Sequence, residues 1–176
     1  MRAMRSKRLG KAPEARAARL SRVEMTEVVL PGDTNPYGSA FGGRLMQWMD
    51  IAGAVAAHRH ARGNVVTASV DDVHFVAPVR LGDIVVLRAS VNRAWGSSME
   101  VGVKIVAENP DARYTTRHTS TAYLTFVAID ARGHPRRVPA VVAKSADEKR
   151  RFAKAEGRRV RRLRLRRERL ARLERA

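Results

Sequence analysis

The sequence predicts an α+β fold in which an antiparallel sheet curls around one long central helix, and three observations carry that expectation. A Pro-free, helix-length run from Arg44 to His60 has apolar side chains in nearly every direction around a 3.6-residue turn. Four β-branched or aromatic-rich runs follow it, separated by short turn sequences. No second helical pattern occurs between that run and about residue 143. One helix covers one face of such a sheet and part of its own circumference, so a second copy of the chain is expected to cover the rest.

In chain order, residues 1–21 form a basic, Ala- and Arg-rich extension with few large apolar residues, expected to be disordered. "RVEMTEVVL" (Arg22 to Leu30) reads as the first strand and ends at the turn signals of "PGDTNPYG". The helix from Arg44 to His60 is expected to be buried on most sides, and it stops at "HRHARGN", with basic residues in its last turn and Gly63 beyond. The later strands are assigned to Val65–Val79, Asp83–Val91, Met99–Ala107 and Ser120–Ile129. In the third of these, Met99, Val101, Val103 and Ile105 point one way while Glu100, Gly102 and Lys104 point the other. The domain is thus bounded at residues 22–143, with an Arg-rich tail, helical or disordered, at 144–176.

Of 176 residues 44% are hydrophobic, enough for one packed domain. The absence of Cys removes disulfide scaffolds, thiolate metal sites and a cysteine nucleophile. No apolar run of bilayer length exists and the basic start lacks the apolar stretch of a secretory signal, so a soluble cytoplasmic protein is the default. A mitochondrial presequence is the lesser alternative for the Arg-rich start. The net charge of +18 is concentrated at the ends. Residues 1–22 hold eight basic groups against one acid and residues 144–176 hold fifteen against five, whereas residues 23–143 hold twelve against eleven. The chemistry of the middle is therefore not explained by a basic surface.

Asp50 interrupts the apolar helix, with Met46, Gln47, Gly53 and Ala54 as its neighbours one turn away. An ionised carboxylate buried there without partners would cost several kcal/mol. It either lies on a narrow polar seam and bonds a neighbouring loop, or it does chemistry. The second reading gains from Gly42 and Gly43 at the helix start, whose open N–H groups and positive dipole end suit a carbonyl oxygen. Asn35 in the preceding turn adds an amide. Oxyanion donors and a carboxylate base are the minimum parts for hydrolysing an ester or thioester with water. Gly43 and Asp50 are about 10 Å apart on one helix at roughly 1.5 Å per residue. Two helices packed across a two-fold axis would let the glycine turn of one chain face Asp50 of the other, giving two sites per dimer. His58 and His60 are two apart on the helix, hence not on one face, and suit its C-terminal end; no metal site is expected.

Four blocks in order, "LPGDTNPYGSAFGGRLMQWMDIAGAVAAHRH", "VVTASVDDVHFVAPVRLGDIV", "WGSSMEVGV" and "TAYLTFVAIDARGHPRRVP", resemble the hotdog-fold acyl-CoA thioesterases of the cytosolic acyl-CoA hydrolase type. The resemblance covers residues 22–140. It implies a helix wrapped by an antiparallel sheet, an active site between subunits, and two-fold dimers that associate into trimers of dimers. It implies that Asp50 is the catalytic base or nucleophile and that Asn35, Gly42 and Gly43 polarise the substrate carbonyl. Thr67 matches a strand hydroxyl near the catalytic acid, or is an ordinary β-branched strand residue. Ser97 and Ser98 match a turn that helps hold the coenzyme A arm, though Gly96 stands where many relatives carry Arg. Arg93, Arg113 and Arg117 are the candidates to replace that charge, or are solvated loop arginines. His74, where relatives carry Asn, contacts the pantetheine arm or packs, with packing preferred. Phe75, with Met46, Trp48 and the partner subunit, is expected to shape the acyl tunnel. The implied reaction needs no cofactor beyond the coenzyme A of its substrate.

The basic tails fit nonspecific contact with nucleic acid or an anionic membrane, or a solvated appendage that concentrates polyanionic acyl-CoA. Two competing readings stay open. One is a hotdog hydratase or dehydratase, which usually wants a His facing the acid. The other is a non-catalytic hotdog dimer whose tails bind a polyanion, in which case deleting 1–22 and 144–176 would abolish binding, whereas a thioesterase would survive the deletion.

Overall fold

A computed structural model of the chain describes residues 13–111 and 113–174. Its elements in order are β1 (Arg16–Ala17), a 3-10 turn (Ala18–Ser21), β2 (Val23–Val28), a second 3-10 turn (Pro31–Asp33), α1 (Gly42–Ala61), β3 (Val65–Val70), β4 (Ile84–Trp95), β5 (Ser98–Asn109), β6 (Thr115–Ala128), β7 (Val141–Val142) and α2 (Ala146–Leu173). Five strands form one antiparallel sheet in the order β2-β4-β5-β6-β3. This is the curled sheet around a central helix that the sequence predicts. The alternation of β5 holds: Met99, Val101, Val103, Ile105 and Ala107 are fully buried against α1, together with Val85 and Leu87 of β4 and Leu124 and Phe126 of β6. Gly53 brings the helix close to the sheet, because a Cβ there would sit 3.1 Å from the Phe126 ring.

Four expectations need correction. The strand assigned to Val65–Val79 stops at Val70; beyond it Asp71 and Asp72, poor strand formers, turn their carboxylates toward α2. The central helix is not buried on most sides of a single chain. Leu45, Trp48, Met49, Ala52, Ala56 and Ala57 face the sheet, while Met46, Ile51 and Val55 are 45%, 44% and 39% exposed. The basic extension is ordered from Arg16, since β1 runs parallel to β7 and the Ser21 hydroxyl accepts from Val91 N at 2.9 Å. The part of that expectation covering residues 1–12 lies outside the described residues.

The C-terminal tail takes the helical of its two expected forms over 146–173, and the fourth correction is that this helix is seated on the outer face of the sheet. Ser145 and Glu148 form a reciprocal capping box at its start, and Glu148 also pairs with Arg22 at 2.9 Å. Arg93 stacks on Phe152 and pairs with Glu156, and Trp95 Nε1 donates to Glu156 at 2.9 Å. Further along, Arg158 lies 3.7 Å from the centroid of the Tyr123 ring. Glu100, outward on β5 and fully buried, accepts from Arg158 Nη2 at 2.6 Å, Arg162 Nη1 at 2.9 Å and Asn92 Nδ2 at 3.0 Å. The first half of α2 is part of the fold, not a separable tail.

At the other end of α1, His60 is fully buried and its Nε2 donates to Pro139 O at 2.9 Å, while Nδ1 has no partner among the described residues. Burial, helped by the nearby Arg16 charge and opposed by the Pro139 bond, lowers its pKa. The unfolded chain therefore takes up a proton that the folded chain resists, so His60's contribution is fully present above about pH 6.5 and is lost as pH falls below it. The melting temperature is expected to drop between pH 7 and pH 5, and to drop less in His60→Gln; equal slopes in the two proteins would refute this origin.

Candidate active site

The turn before α1 is built to present backbone. Asp33 accepts from Leu30 N at 3.0 Å, pairs with Arg44 Nε at 2.7 Å, and its own carbonyl takes Phe41 N at 2.9 Å, so both ends of the loop are tied together. Within it Asn35 Oδ1 accepts from Tyr37 N and Ser39 N, at 3.0 and 3.2 Å. That leaves the Asn35 Nδ2 group without a partner among the described residues. The loop is pinned downstream through Ala40 N to Val79 O, at 2.7 Å, and Leu81 N to Gly38 O, at 3.1 Å. Phe41 occupies the N-cap of α1 and supplies no side-chain cap. Arg44 N and Leu45 N turn back onto Phe41 O, so the exposed Gly42 and Gly43 carry the open N–H groups of the first turn. A Cβ on Gly42 would stand 3.4 Å from the Phe75 ring, and one on Gly43 would meet nothing within 4 Å.

Two turns along α1, Asp50 is half-buried and its Oδ1 accepts the Thr67 hydroxyl at 2.6 Å. Thr67 lies on β3, one of the two edge strands of the sheet. Asp50 and Thr67 are thus brought together, one of the two readings the sequence leaves open for Thr67, while Gly43 lies on the same side of α1 about 10 Å away.

The remaining candidates divide. Gly96 holds φ +58 in the Trp95–Ser98 hairpin turn, which explains the glycine by local backbone need. Ser98 Oγ closes that turn on Trp95 O at 3.2 Å, and Ser97 O accepts from Ala128 N at 2.9 Å. Ser98, Val127 and Val66 stand in line across β5, β6 and β3, so the turn is about 10 Å from the Thr67 end of the edge strand. Phe75 is 41% exposed beside the glycine turn. His74 is exposed on the single chain. Arg113 is exposed on the loop between β5 and β6.

Arg93 and Arg117 are not positioned as spare cations. Arg93 is taken up by Phe152 and Glu156 of α2. Arg117 forms an ion pair with Asp83, whose side chain is fully buried, and donates to Pro78 O at 3.1 Å. Arg117→Gln is accordingly expected to cost about 2 kcal/mol of stability, the scale of a hydrogen bond to a charged group, with KM for any anionic substrate unchanged. Thermal melts paired with saturation curves check this; a raised KM at unchanged stability would restore Arg117 to substrate binding. Sequence reasoning missed the Glu100, Arg158, Arg162 and Asp71 network, although "SADE" at 145–148 is a readable helix-start signal and Arg158 and Arg162 are one turn apart.

The Thioesterase superfamily model matches residues 37–113. Acyl-coenzyme A thioesterase 11 of Mus musculus is 36% identical over 146 residues, covering 83% of this chain and 25% of its own length. The uncharacterized acyl-CoA thioester hydrolase YkhA of Bacillus subtilis is 40% identical over 136 residues, 77% of this chain and 78% of its own. The chain thus spans about a quarter of the mouse protein and most of the bacterial one. Among solved structures, acyl-CoA hydrolase from Staphylococcus aureus, in complex with butyryl coenzyme A, coenzyme A and coenzyme A disulfide, has a TM-score of 0.85 at 37% identity and covers 91% of this chain and 97% of its own. An apo-hexameric acyl-CoA thioesterase has a TM-score of 0.83 at 35% identity, with 86% and 97% covered. Alanine variants of the staphylococcal enzyme replace an asparagine, an aspartate and a threonine. These are separated by fifteen and then seventeen residues, the same separations as Asn35, Asp50 and Thr67 here.

Proposed function

The chain belongs to the Thioesterase superfamily, and from that premise we propose that it hydrolyses acyl-CoA thioesters to a free acid and coenzyme A. The observation that carries the reading is the Asp50 carboxylate held by Thr67 on the same helix whose glycine start is left uncapped. In this reading Asp50 acts on the thioester carbonyl, either as base toward water or directly as nucleophile. The Gly42 and Gly43 N–H groups, with the free amide of Asn35, take the negative charge that develops on the carbonyl oxygen. Water supplies the oxygen of the acid, and its proton ends on the coenzyme A thiol. This chemistry asks for no metal or redox cofactor.

Because Gly43 and Asp50 are two turns apart, the reading assigns them to different sites of a dimer. The exposed apolar side chains of α1, Met46, Ile51 and Val55, and the neighbouring edge strand, with Val66 and Val70 44% and 43% exposed, support a second copy lying there. We assign the assembly to dimers grouped as a trimer, in keeping with a hexameric relative, and the setting to the cytoplasm. Among the described residues no helix is long and apolar enough to cross a membrane. The exposed Arg166, Arg167, Arg169 and Arg172 on the outer half of α2 suit nonspecific attraction of a polyanionic substrate.

Thiol release over a panel of acyl-CoA chain lengths tests the activity, with Asn35→Ala expected to lower kcat about tenfold or more for loss of one oxyanion donor. No hydrolysis of any acyl-CoA by the wild type would sink the reading.

A further inference from the structure

We propose that Arg162 is a positioning residue for the active site, a tie from the C-terminal helix to the segment that carries Phe75. The proposal rests on the thioesterase reading above. Arg162 is mostly buried, and its Nη1 reaches two carboxylates at once: Glu100 at 2.9 Å and Asp71 at 2.7 Å. Glu100 is fixed, being fully buried on a central strand and also gripped by Arg158 and Asn92. Asp71 is the first residue beyond β3, four residues after Thr67 and four before Phe75.

Apart from the Arg117 bond to Pro78 O at its far end and the exposed Arg161–Asp72 pair, the segment between Val70 and Val79 is held by few contacts. Its backbone touches β6 through Asp71 N to Tyr123 O and Val76 N to Thr119 O, both at 2.9 Å, and Val73 packs against the core. Upstream of it Thr67 sets the Asp50 carboxylate, and downstream Phe75 lies against the Gly42 turn. A displacement at Asp71 therefore reaches both halves of the chemistry. Burial raises the Asp71 carboxyl pKa and the Arg162 charge works against that rise, as expected for an acid whose main compensation is this one arginine. Arg161 next door pairs with Asp72, but both side chains are well exposed, 63% and 70%, so this neighbouring pair is a natural control.

The test compares Arg162→Gln, Arg162→Lys and Arg161→Gln in the full chain, well below each melting temperature. Arg162→Gln leaves Glu100 with the Arg158 fork, which protects the fold. Arg162→Gln is expected to lower kcat about tenfold with KM nearly unchanged, Arg162→Lys to recover part of that loss, and Arg161→Gln to match the wild type. Hydrogen exchange at the Asp71 and Val76 amides is expected to accelerate about tenfold in Arg162→Gln relative to the β5 amides. Wild-type kcat in Arg162→Gln, or equal losses in Arg161→Gln and Arg162→Gln, would overturn the proposal while leaving the thioesterase reading intact. An inactive wild type would overturn the thioesterase reading instead, and unchanged exchange at the two amides would overturn the tie whatever the activity.

Discussion

An Asp50→Asn variant is expected to lose about 10²–10⁴-fold in kcat for acyl-CoA hydrolysis, the usual contribution of a positioned general base, and more if the carboxylate is the nucleophile. The substitution keeps the shape of the side chain and its half-buried place between α1 and β3. The Thr67 hydroxyl, which donates to Asp50 Oδ1 at 2.6 Å, can donate equally to an amide oxygen. Melting temperature and oligomeric state should therefore match the wild type, so that the loss reports on chemistry alone. Thiol release measured beside a thermal melt decides it. A variant that turns over at the wild-type rate would remove Asp50 from the mechanism, and one that is inactive only because it has unfolded would show that the acid is structural.

The largest stability effect is expected at Arg158. Glu100 is fully buried on the outer face of β5, and Arg158 supplies three of its hydrogen-bond contacts, at 2.6 to 3.2 Å. Arg158→Met removes the guanidinium stacked on Tyr123 and leaves the carboxylate with Arg162 and Asn92 alone. Breaking a buried pair from one side costs roughly 3–5 kcal/mol, and the partial exposure of Arg158 places this case near 3. A chain of this length should then melt about 10 °C lower. The double variant Glu100→Gln with Arg158→Met should be more stable than Arg158→Met, because the stranded charge is gone. If the double variant is the less stable of the two, Glu100 is not the source of the cost.

The parts of the molecule governed by local pattern were legible in the sequence. The period of β5, the extent of α1, the glycine turn and the lone acid at Asp50 all follow from side-chain spacing and backbone chemistry within a few turns of chain. What escaped is set by long-range partners. Arg93 and Arg117 look like spare loop cations until α2 and Asp83 are placed beside them. Met46, Ile51 and Val55 look buried in the sequence, yet the single chain leaves them 45%, 44% and 39% exposed. The docking of α2 was obscured by its charge density: arginine there serves as the cover of the outer sheet face, with its stems and guanidinium groups replacing the leucines that a helix normally lays on a sheet.

The uncapped start of α1 has a consequence for how such a site is mapped by mutation. The donors assigned there are main-chain N–H groups of Gly42 and Gly43, so the genetic code offers no ordinary truncation that deletes them. An alanine scan would read Gly43 as tolerant, because a methyl group there meets open space. At Gly42 it would register only crowding of the Phe75 ring. On the proposed mechanism, a survey of side chains would register Asp50 and Asn35, and the share assigned to the backbone would stay silent in the table of variants.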